Sequence, residues 1–160
     1  MSLLTVGALV VAMCLVLPAG ATIVPGRGLG GVNLGMTASE VRAALGPPRT
    51  ITRTRGALGF LVTRLHYDRL TVDLQTLHRV PVVVRILTTT PGEETRSGIG
   101  VGSPIAAAAR LPQAHCFSQA PTERYCRIGD AKRPLSRFTL FESTRDRKVT
   151  LVEVAFVVNS

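Results

Sequence analysis

The stretch GVNLGMTASEVRAALGPPR (Gly31–Arg49) decides the expected fold, because a related stretch, GIGVGSPIAAAARLPQA (Gly98–Ala114), follows later in the chain. In both stretches, glycines flank apolar residues, and a short segment with apolar side chains at helical spacing comes next. An internal repeat of this kind predicts that one structural unit occurs twice. The alternative interpretation is a chance similarity between two glycine-rich turns.

Capping signals place one short helix in each stretch. Thr37 and Glu40 form a T-x-x-E capping box, in which the hydroxyl and the carboxylate each accept a hydrogen bond from a free backbone amide. Gly46 is suited to end this helix in a left-handed conformation. In the second stretch, Ser103 is the predicted cap and Pro104 suits the first helical position. We therefore interpret the motif as structural rather than catalytic.

Three segments with high β-propensity follow each predicted helix. Apolar and polar residues alternate along them, which favours an antiparallel sheet with one apolar face and one solvent-exposed face. The predicted fold class is α+β, with two tandem helix-plus-three-strand repeats forming one antiparallel sheet and the helices on one face. Repeat 1 is expected over residues 22–91 and repeat 2 over residues 92–160. The predicted strands are Phe60–Tyr67, Leu70–Leu74, Pro81–Thr90, Arg124–Ile128, Leu135–Glu142 and Lys148–Val158.

The first 21 residues are uncharged and mostly apolar, and they end in Ala19-Gly20-Ala21. A short apolar run followed by a small-x-small site predicts a signal peptide, residues 1–21, and a secreted or extracytoplasmic protein. Two alternatives stay open. The segment could be an uncleaved anchor, or Cys14 could carry a lipid.

Export leaves two of the three cysteines, Cys116 and Cys126, in an oxidising compartment. An even pair in such a protein predicts a disulfide. A zinc site is the competing interpretation. It needs four ligands, and His115 is the only further candidate nearby.

The net charge of +9 comes from 19 basic residues, of which 17 are arginines, and 10 acidic ones. The arginines are scattered, which is typical of a solvated surface. Nucleic-acid binding is not predicted, because the sequence has no basic stripe interleaved with stacking aromatics. An acidic protein or an anionic polymer of the cell envelope is the expected kind of partner.

The sequence does not predict an enzyme. A nucleophile–base arrangement needs a histidine held by an acid. His66 could lie near Asp73 on the next strand, but we interpret that pair as a surface contact. The segment Gly98–Gly102 lacks the G-x-G-x-x-G spacing and the βαβ setting of a dinucleotide site. No cofactor and no metal site are predicted.

The function predicted from these patterns is that of an exported, non-catalytic binding module. Its binding surface would be the solvent-exposed face of the sheet. The strand alternation places seven candidate residues on that face: Arg64, His66, Thr71, Asp73, Arg137, Phe141 and Glu153.

The segment GMTASEVRAALGPP (Gly35–Pro48) resembles the signature of the SmpA/OmlA family of small outer-membrane assembly lipoproteins. In tandem, this unit resembles the fold of the β-lactamase inhibitor protein family, which implies a curved sheet whose concave face grips a partner. An envelope assembly or stability factor, or an inhibitor of a secreted hydrolase, are the alternative functions implied. The chain departs from the inhibitor family in having one candidate disulfide and few aromatics. A shared fold does not by itself assign an activity.

Overall fold

The structure, a computed structural model, describes residues 22–55, 59–145 and 147–157. The expected signal peptide and Cys14 lie outside the described residues. Within those residues, no helix is long and apolar enough to cross a bilayer.

Eleven β-strands and two α-helices make up the described part of the chain. In chain order they are β1 (Ile23–Val24), β2 (Gly28–Leu29), β3 (Val32–Asn33), α1 (Ala38–Leu45), β4 (Thr50–Arg55), β5 (Leu61–His66), β6 (Thr71–Leu77), β7 (Val80–Thr88), α2 (Ile105–Ala108), β8 (Ala114–Ala120), β9 (Glu123–Gly129), β10 (Arg137–Ser143) and β11 (Val149–Phe156).

The strands form two antiparallel sheets. The small sheet has the order β1-β2-β3, and the large sheet has the order β4-β5-β6-β7-β11-β10-β9-β8. Each half of the large sheet is a meander of four strands. The last strands of the two meanders, β7 and β11, pair in the centre, with Ile86 opposite Val154. The edges of the sheet are therefore β4 and β8.

The predicted α+β fold of two helix-plus-three-strand repeats is wrong. The described part of the chain is mostly β, with 52% strand and 9% helix. The prediction missed both edge strands for one physical reason: an edge strand exposed on both faces does not need to alternate. All six residues of β4 are exposed, and five of the seven in β8 are exposed. Without burial on one side, the two-residue period that signals a strand disappears.

The second predicted helix is also much shorter than expected. α2 has four residues, and its N-cap position is Pro104 with no side-chain cap. The Ser103 hydroxyl accepts a hydrogen bond from the amide of Gly100 at 3.1 Å, so it stabilises the preceding turn instead of the helix. The predicted cap at Ser103 is therefore wrong.

The capping box at the start of α1 is confirmed. The Thr37 amide donates to Glu40 Oε2 at 2.7 Å, and the Glu40 amide donates to Thr37 Oγ1 at 3.4 Å. At the other end, Gly46 has φ of 80° and its amide donates to the carbonyl of Arg42. Both terminal turns of α1 thus have partners for backbone groups that a helix leaves free.

The two glycine-rich stretches attach to strands of the large sheet by similar backbone hydrogen bonds. The Gly35 amide donates to the Val83 carbonyl of β7 at 2.8 Å. The Gly102 amide donates to the Val149 carbonyl of β11, also at 2.8 Å. Gly100 is constrained by its surroundings, because a Cβ at this position would clash with the Glu93 carbonyl oxygen. Close backbone approach therefore explains Gly100, whereas Gly35 and Gly102 have φ of 88° and 95°, a conformation that favours glycine.

The main core lies between one face of the large sheet and a layer made of α1, α2 and the small sheet. The small sheet contributes the buried side chains of Ile23, Leu29 and Val32. The other fully or nearly buried members are Leu34, Val41, Leu65, Leu70, Val72, Leu74, Val83, Ile86, Ile99, Ile105, Ala108, Cys126, Phe141, Val149, Val152 and Val154. The opposite face of the large sheet carries neither helix, and we call it the open face.

The predicted disulfide is present. Cys116 of β8 and Cys126 of β9 are directly opposite each other, with their Cα atoms 4.0 Å apart. Cys126 is buried on the core side of the sheet. The bond thus fastens the exposed edge strand β8 to the rest of the sheet.

Candidate binding face

Strand pairing identifies the side chains on the open face, because residues directly opposite each other in an antiparallel pair point to the same side. Asp73 follows the core residue Val72 and so points away from the core. Asp73 is opposite Arg64 on one side and Arg85 on the other. The same row continues through β11, β10 and β9 with Ala155, Phe138 and Gly129.

Four charged side chains form a continuous ion-pair ladder across β5, β6, β7 and β11. Arg64 binds Asp73 with two hydrogen bonds, Nε to Oδ1 at 2.6 Å and Nη2 to Oδ2 at 2.8 Å. Arg85 Nη1 lies 3.8 Å from Asp73 Oδ2, and Arg85 Nε donates to Glu153 Oε2 at 3.0 Å. Since the ladder contains two cations and two anions, the centre of the open face is nearly neutral.

The carboxylates of the ladder are more deeply buried than its guanidinium groups. The side chain of Asp73 is 5% exposed and that of Glu153 is 16% exposed. Burial raises the pKa of Glu153 above its usual value, although the neighbouring Arg85 lowers it in part. The hydrogen bond to Asp73 raises the pKa of Arg64. The neighbouring Arg85 thus offsets part of the effect of burial on the Glu153 carboxylate.

A cleft of about 410 Å³ runs beside the ladder on the open face. Asp73, Arg85 and Glu153 line its charged side, and Phe138 lines its apolar side. The loop between β9 and β10 forms the outer wall through Ala131. Backbone hydrogen bonds tie this loop to Val157, whose carbonyl accepts from Leu135 at 2.8 Å and whose amide donates to Ser136 at 2.8 Å.

An aromatic and cationic cluster lies on the open face near edge strand β8. Phe117 and Tyr125 are opposite each other in β8 and β9 and stack with ring centroids 5.4 Å apart and planes 18° apart. Arg127 adds a cation–π contact, with its guanidinium carbon 5.9 Å from the Phe117 centroid. Aromatic and arginine side chains are the usual anchors of protein interfaces. This cluster was not predicted from the sequence, because strand β8 was not predicted.

Five of the seven predicted face residues lie on the open face. Asp73 and Glu153 belong to the ladder with Arg64, while His66 and Thr71 form the next row, opposite each other. These positions agree with the predicted alternation of β5, β6 and β11.

The other two predicted face residues, Arg137 and Phe141, are on the core side. Phe141 is completely buried, opposite Val152 and Cys126. Arg137 has the same parity and stacks over the ring of Phe156 at 5.3 Å. The prediction was wrong for β10 because this strand has large apolar residues on both sides, Phe141 on the core side and Phe138 and Leu140 on the open side. Alternation in such a strand does not determine which side is buried.

The histidines do not form a catalytic arrangement with Asp73. His66 Nε2 lies 3.1 Å from Thr52 Oγ1, while Asp73 is engaged by Arg64. His78 lies in the β6–β7 turn with φ of 48°, and His115 is opposite Arg127 at the sheet edge. Across residues 22–55, 59–145 and 147–157, no three His, Cys, Asp or Glu side chains are grouped as metal ligands would be.

Comparisons with known proteins give structural neighbours only. No protein family matches the chain, and no curated protein sequence matches it either. An extracellular protein containing an SCP domain from Bacillus anthracis superposes with a TM-score of 0.50 at 11% identity, over 92% of this chain and 50% of that one. A cysteine-rich secretory protein from Staphylococcus aureus superposes with a TM-score of 0.44 at 15% identity, over 82% of this chain and 46% of that one. The chain thus spans about half the length of each neighbour. The likeness to the Bacillus anthracis protein establishes a shared fold.

Proposed function

We propose that the protein is an exported, non-catalytic binding module that docks a partner protein on the open face of its large sheet. The observation that supports this function is the composition of that face. Phe138 of β10 lines the cleft beside the charged ladder. The aromatic cluster of Phe117, Tyr125 and Arg127 lies on the same face, beyond β10 in the strand order. Interfaces between proteins combine such aromatic and arginine anchors with paired charges.

The charge balance of this face favours a protein partner over an anionic polymer. The two arginines of the ladder are already paired with Asp73 and Glu153. A polyanion would have to compete with these carboxylates, whereas a protein surface can satisfy the exposed edges of the ladder with its own donors and acceptors. Export is supported by the signal-like residues 1–21 and by the fold shared with half of an extracellular protein.

The test is a capture experiment with matched substitutions on the two faces of the sheet. The immobilised full chain is exposed to native culture fluid and envelope extract, bound proteins are identified by mass spectrometry, and the Kd of the main partner is then measured. Phe117→Ser and Phe138→Ser are expected to weaken that Kd by tenfold or more, because each removes an aromatic anchor. Ile51→Ser is the matched control. Ile51 is 48% exposed, against 39% for Phe117, and it points to the helix side because it is opposite Leu65.

Arg137→Glu provides a second control, since this side chain also lies on the helix side. We expect this charge reversal to leave the Kd unchanged. Loss of binding in Ile51→Ser or Arg137→Glu, with normal binding in both phenylalanine variants, would place the partner on the helix side and reject the open face.

A further inference from the structure

A second concavity lies on the other side of the sheet, between α2 and the β8–β9 hairpin. It is a groove of about 360 Å³. Ile105, Ala106 and Ala109 form its helical wall, and the disulfide of Cys116 and Cys126 forms part of its floor. The groove exists because α2 has only four residues and small side chains, so that it does not cover the end of β9. The lining is mainly apolar, as in sites for small hydrophobic ligands.

A smaller basic cavity of about 150 Å³ continues from the groove. It lies between the β8–β9 turn and the β10–β11 turn, and Arg124, Arg145 and Arg147 line it together with Thr122 and Thr144. Arg124 and Arg147 line both the groove and the cavity. The two spaces therefore form one site with an apolar part and a cationic end.

Backbone hydrogen bonds hold the basic end against the groove. The Ile105 amide at the start of α2 donates to the Arg147 carbonyl at 2.8 Å. The Arg147 amide donates to the Thr144 carbonyl at 3.0 Å, and Arg147 has φ of 55°. The left-handed conformation is unusual for a residue other than glycine and needs such support. The backbone of Arg147 is thus held against the start of α2.

The three arginines of the cationic end form no ion pair with a carboxylate of the described residues. No carboxylate of residues 22–55, 59–145 and 147–157 lies within 4 Å of the guanidinium nitrogens of Arg124, Arg145 or Arg147, whereas the arginines of the open-face ladder are paired. Asp146, which lies outside the described residues, separates two of the three arginines in the sequence. Three guanidinium groups around a small cavity carry enough donors to bind a phosphate through several paired hydrogen bonds.

We propose that this groove binds a single-chain amphiphile with a phosphate head group. The phosphate lies among Arg124, Arg145 and Arg147, and the apolar chain extends along α2 over the disulfide. Charge complementarity selects the anionic head, and the volume of the groove suits one short chain rather than the two of a diacyl lipid. The site lies on the helix side of the sheet, and of the aromatic cluster on the open face only Phe117 also lines the groove.

Isothermal titration of the purified full chain with dodecyl phosphate, kept in its monomeric concentration range, tests the site. We expect binding of one molecule per chain. Inorganic phosphate is expected to bind at least tenfold more weakly, because it uses only the cationic end, and dodecyltrimethylammonium is expected not to bind. Equal affinity for inorganic phosphate and dodecyl phosphate would reject the groove. Equal affinity for the two dodecyl compounds would reject the phosphate site.

Single substitutions then locate the ligand. Arg124→Gln and Arg147→Gln are each expected to weaken dodecyl phosphate binding about tenfold, the loss of one charge-assisted contact. Arg96→Gln, at an exposed arginine in another loop, is the control and is expected to have no effect. Asp146→Asn removes a negative charge from the turn and should not weaken binding. A large loss in Asp146→Asn with no loss in the two arginine variants would overturn the assignment.

A bulky substitution that fills the apolar part of the groove tests whether the alkyl chain binds there. Ala106→Phe on the exposed side of α2 should abolish dodecyl phosphate binding while leaving weak phosphate binding intact. Ala43→Phe, at an exposed position of α1, is the matched control. Unchanged binding in Ala106→Phe would reject the groove as the site of the chain. An acidic peptide that binds more tightly than dodecyl phosphate and competes with it would reassign the groove to a protein segment.

Discussion

Arg64 and Asp73 are opposite each other in β5 and β6 and are joined by two hydrogen bonds of 2.6 and 2.8 Å. The Asp73 carboxylate is nearly buried, whereas Arg64 is one-third exposed. Arg64 therefore supplies hydrogen bonds and a positive charge to a carboxylate that water reaches poorly. An unpaired buried carboxylate costs more free energy than the pair contributes when it is intact.

Replacing Arg64 with Gln should lower the free energy of unfolding by about 1–3 kcal/mol, because Asp73 loses its closest partner and Arg85 is 3.8 Å away. The measurement is urea denaturation at pH 7. Combining Arg64→Gln with Asp73→Asn should recover part of the loss, with a coupling energy of roughly 0.5–3 kcal/mol. Arg133→Gln, which removes an exposed ion pair with Asp130, is the control and should change stability by less than about 1 kcal/mol. Strictly additive losses would show that the two side chains do not stabilise each other.

Phe141 and Phe138 are three residues apart in β10 and lie on opposite faces. Phe141→Ala should lower the free energy of unfolding by about 3–5 kcal/mol, since Phe141 is fully buried in the core. Phe138→Ala should cost clearly less, since Phe138 is only partly buried beside the open-face cleft. Chemical denaturation of both variants decides between the two orientations of the strand. A larger loss for Phe138→Ala would mean that β10 is turned the other way.

Phe138 and Phe141 also show where the sequence pattern stops predicting which side of a strand is buried. The central strands β5, β6 and β11 were predicted with the correct sides, because each has apolar residues on one side and charged residues on the other. β10 has large apolar residues on both sides, so its orientation is set by pairing with Val152 and Cys126 rather than by its own pattern. The cluster of Phe117 and Tyr125 depends on the pairing of β8 with β9, which local sequence does not specify.

Thr37 is the clearest case of a local signal that determined local structure. Thr37→Ala removes the hydroxyl that accepts from the Glu40 amide and donates to Glu40 Oε2. We expect a loss of about 1 kcal/mol in the free energy of unfolding, a typical cost for an N-cap. Partner binding at the open face should be unchanged, since α1 is on the other side of the sheet. Ser97→Ala, at an exposed position of another loop, is the control. If binding were lost while the melting temperature stayed the same, the motif would have a functional role.

The disulfide should contribute measurable stability, because it closes a loop between residues 10 positions apart and holds edge strand β8. The double substitution Cys116→Ala with Cys126→Ala should lower the free energy of unfolding by about 2–3 kcal/mol. Urea denaturation of this variant is compared with that of the unmodified chain under reducing conditions. The two should agree, because both lack the same covalent bond. A reduced chain as stable as the oxidised one would show that pairing with β9 is sufficient to hold β8.

Two glutamates should give opposite pH dependences. Burial raises the pKa of Glu153 above 4.5, so the folded state binds its proton more tightly than the unfolded state does. The stability linked to this group is fully present below pH 4.5 and is lost as the pH rises through the raised pKa. The hydrogen bonds from Thr37 lower the pKa of Glu40, so its contribution is present above pH 4.5 and is lost as the pH falls through the lowered pKa.

Measuring unfolding free energies from pH 3 to pH 8 for Glu153→Gln and Glu40→Gln therefore separates the two effects. The wild type should lose stability relative to Glu153→Gln as the pH rises above 4.5, because only the wild type has a carboxylate to ionise at this depth. It should lose stability relative to Glu40→Gln as the pH falls below 4.5. Glu153→Gln is thus the reference for the wild type above pH 4.5, and Glu40→Gln is its reference below pH 4.5. A wild-type curve that stays parallel to that of Glu153→Gln would mean that Arg85 compensates the burial of Glu153 completely, and that the ladder is charged without cost to the fold.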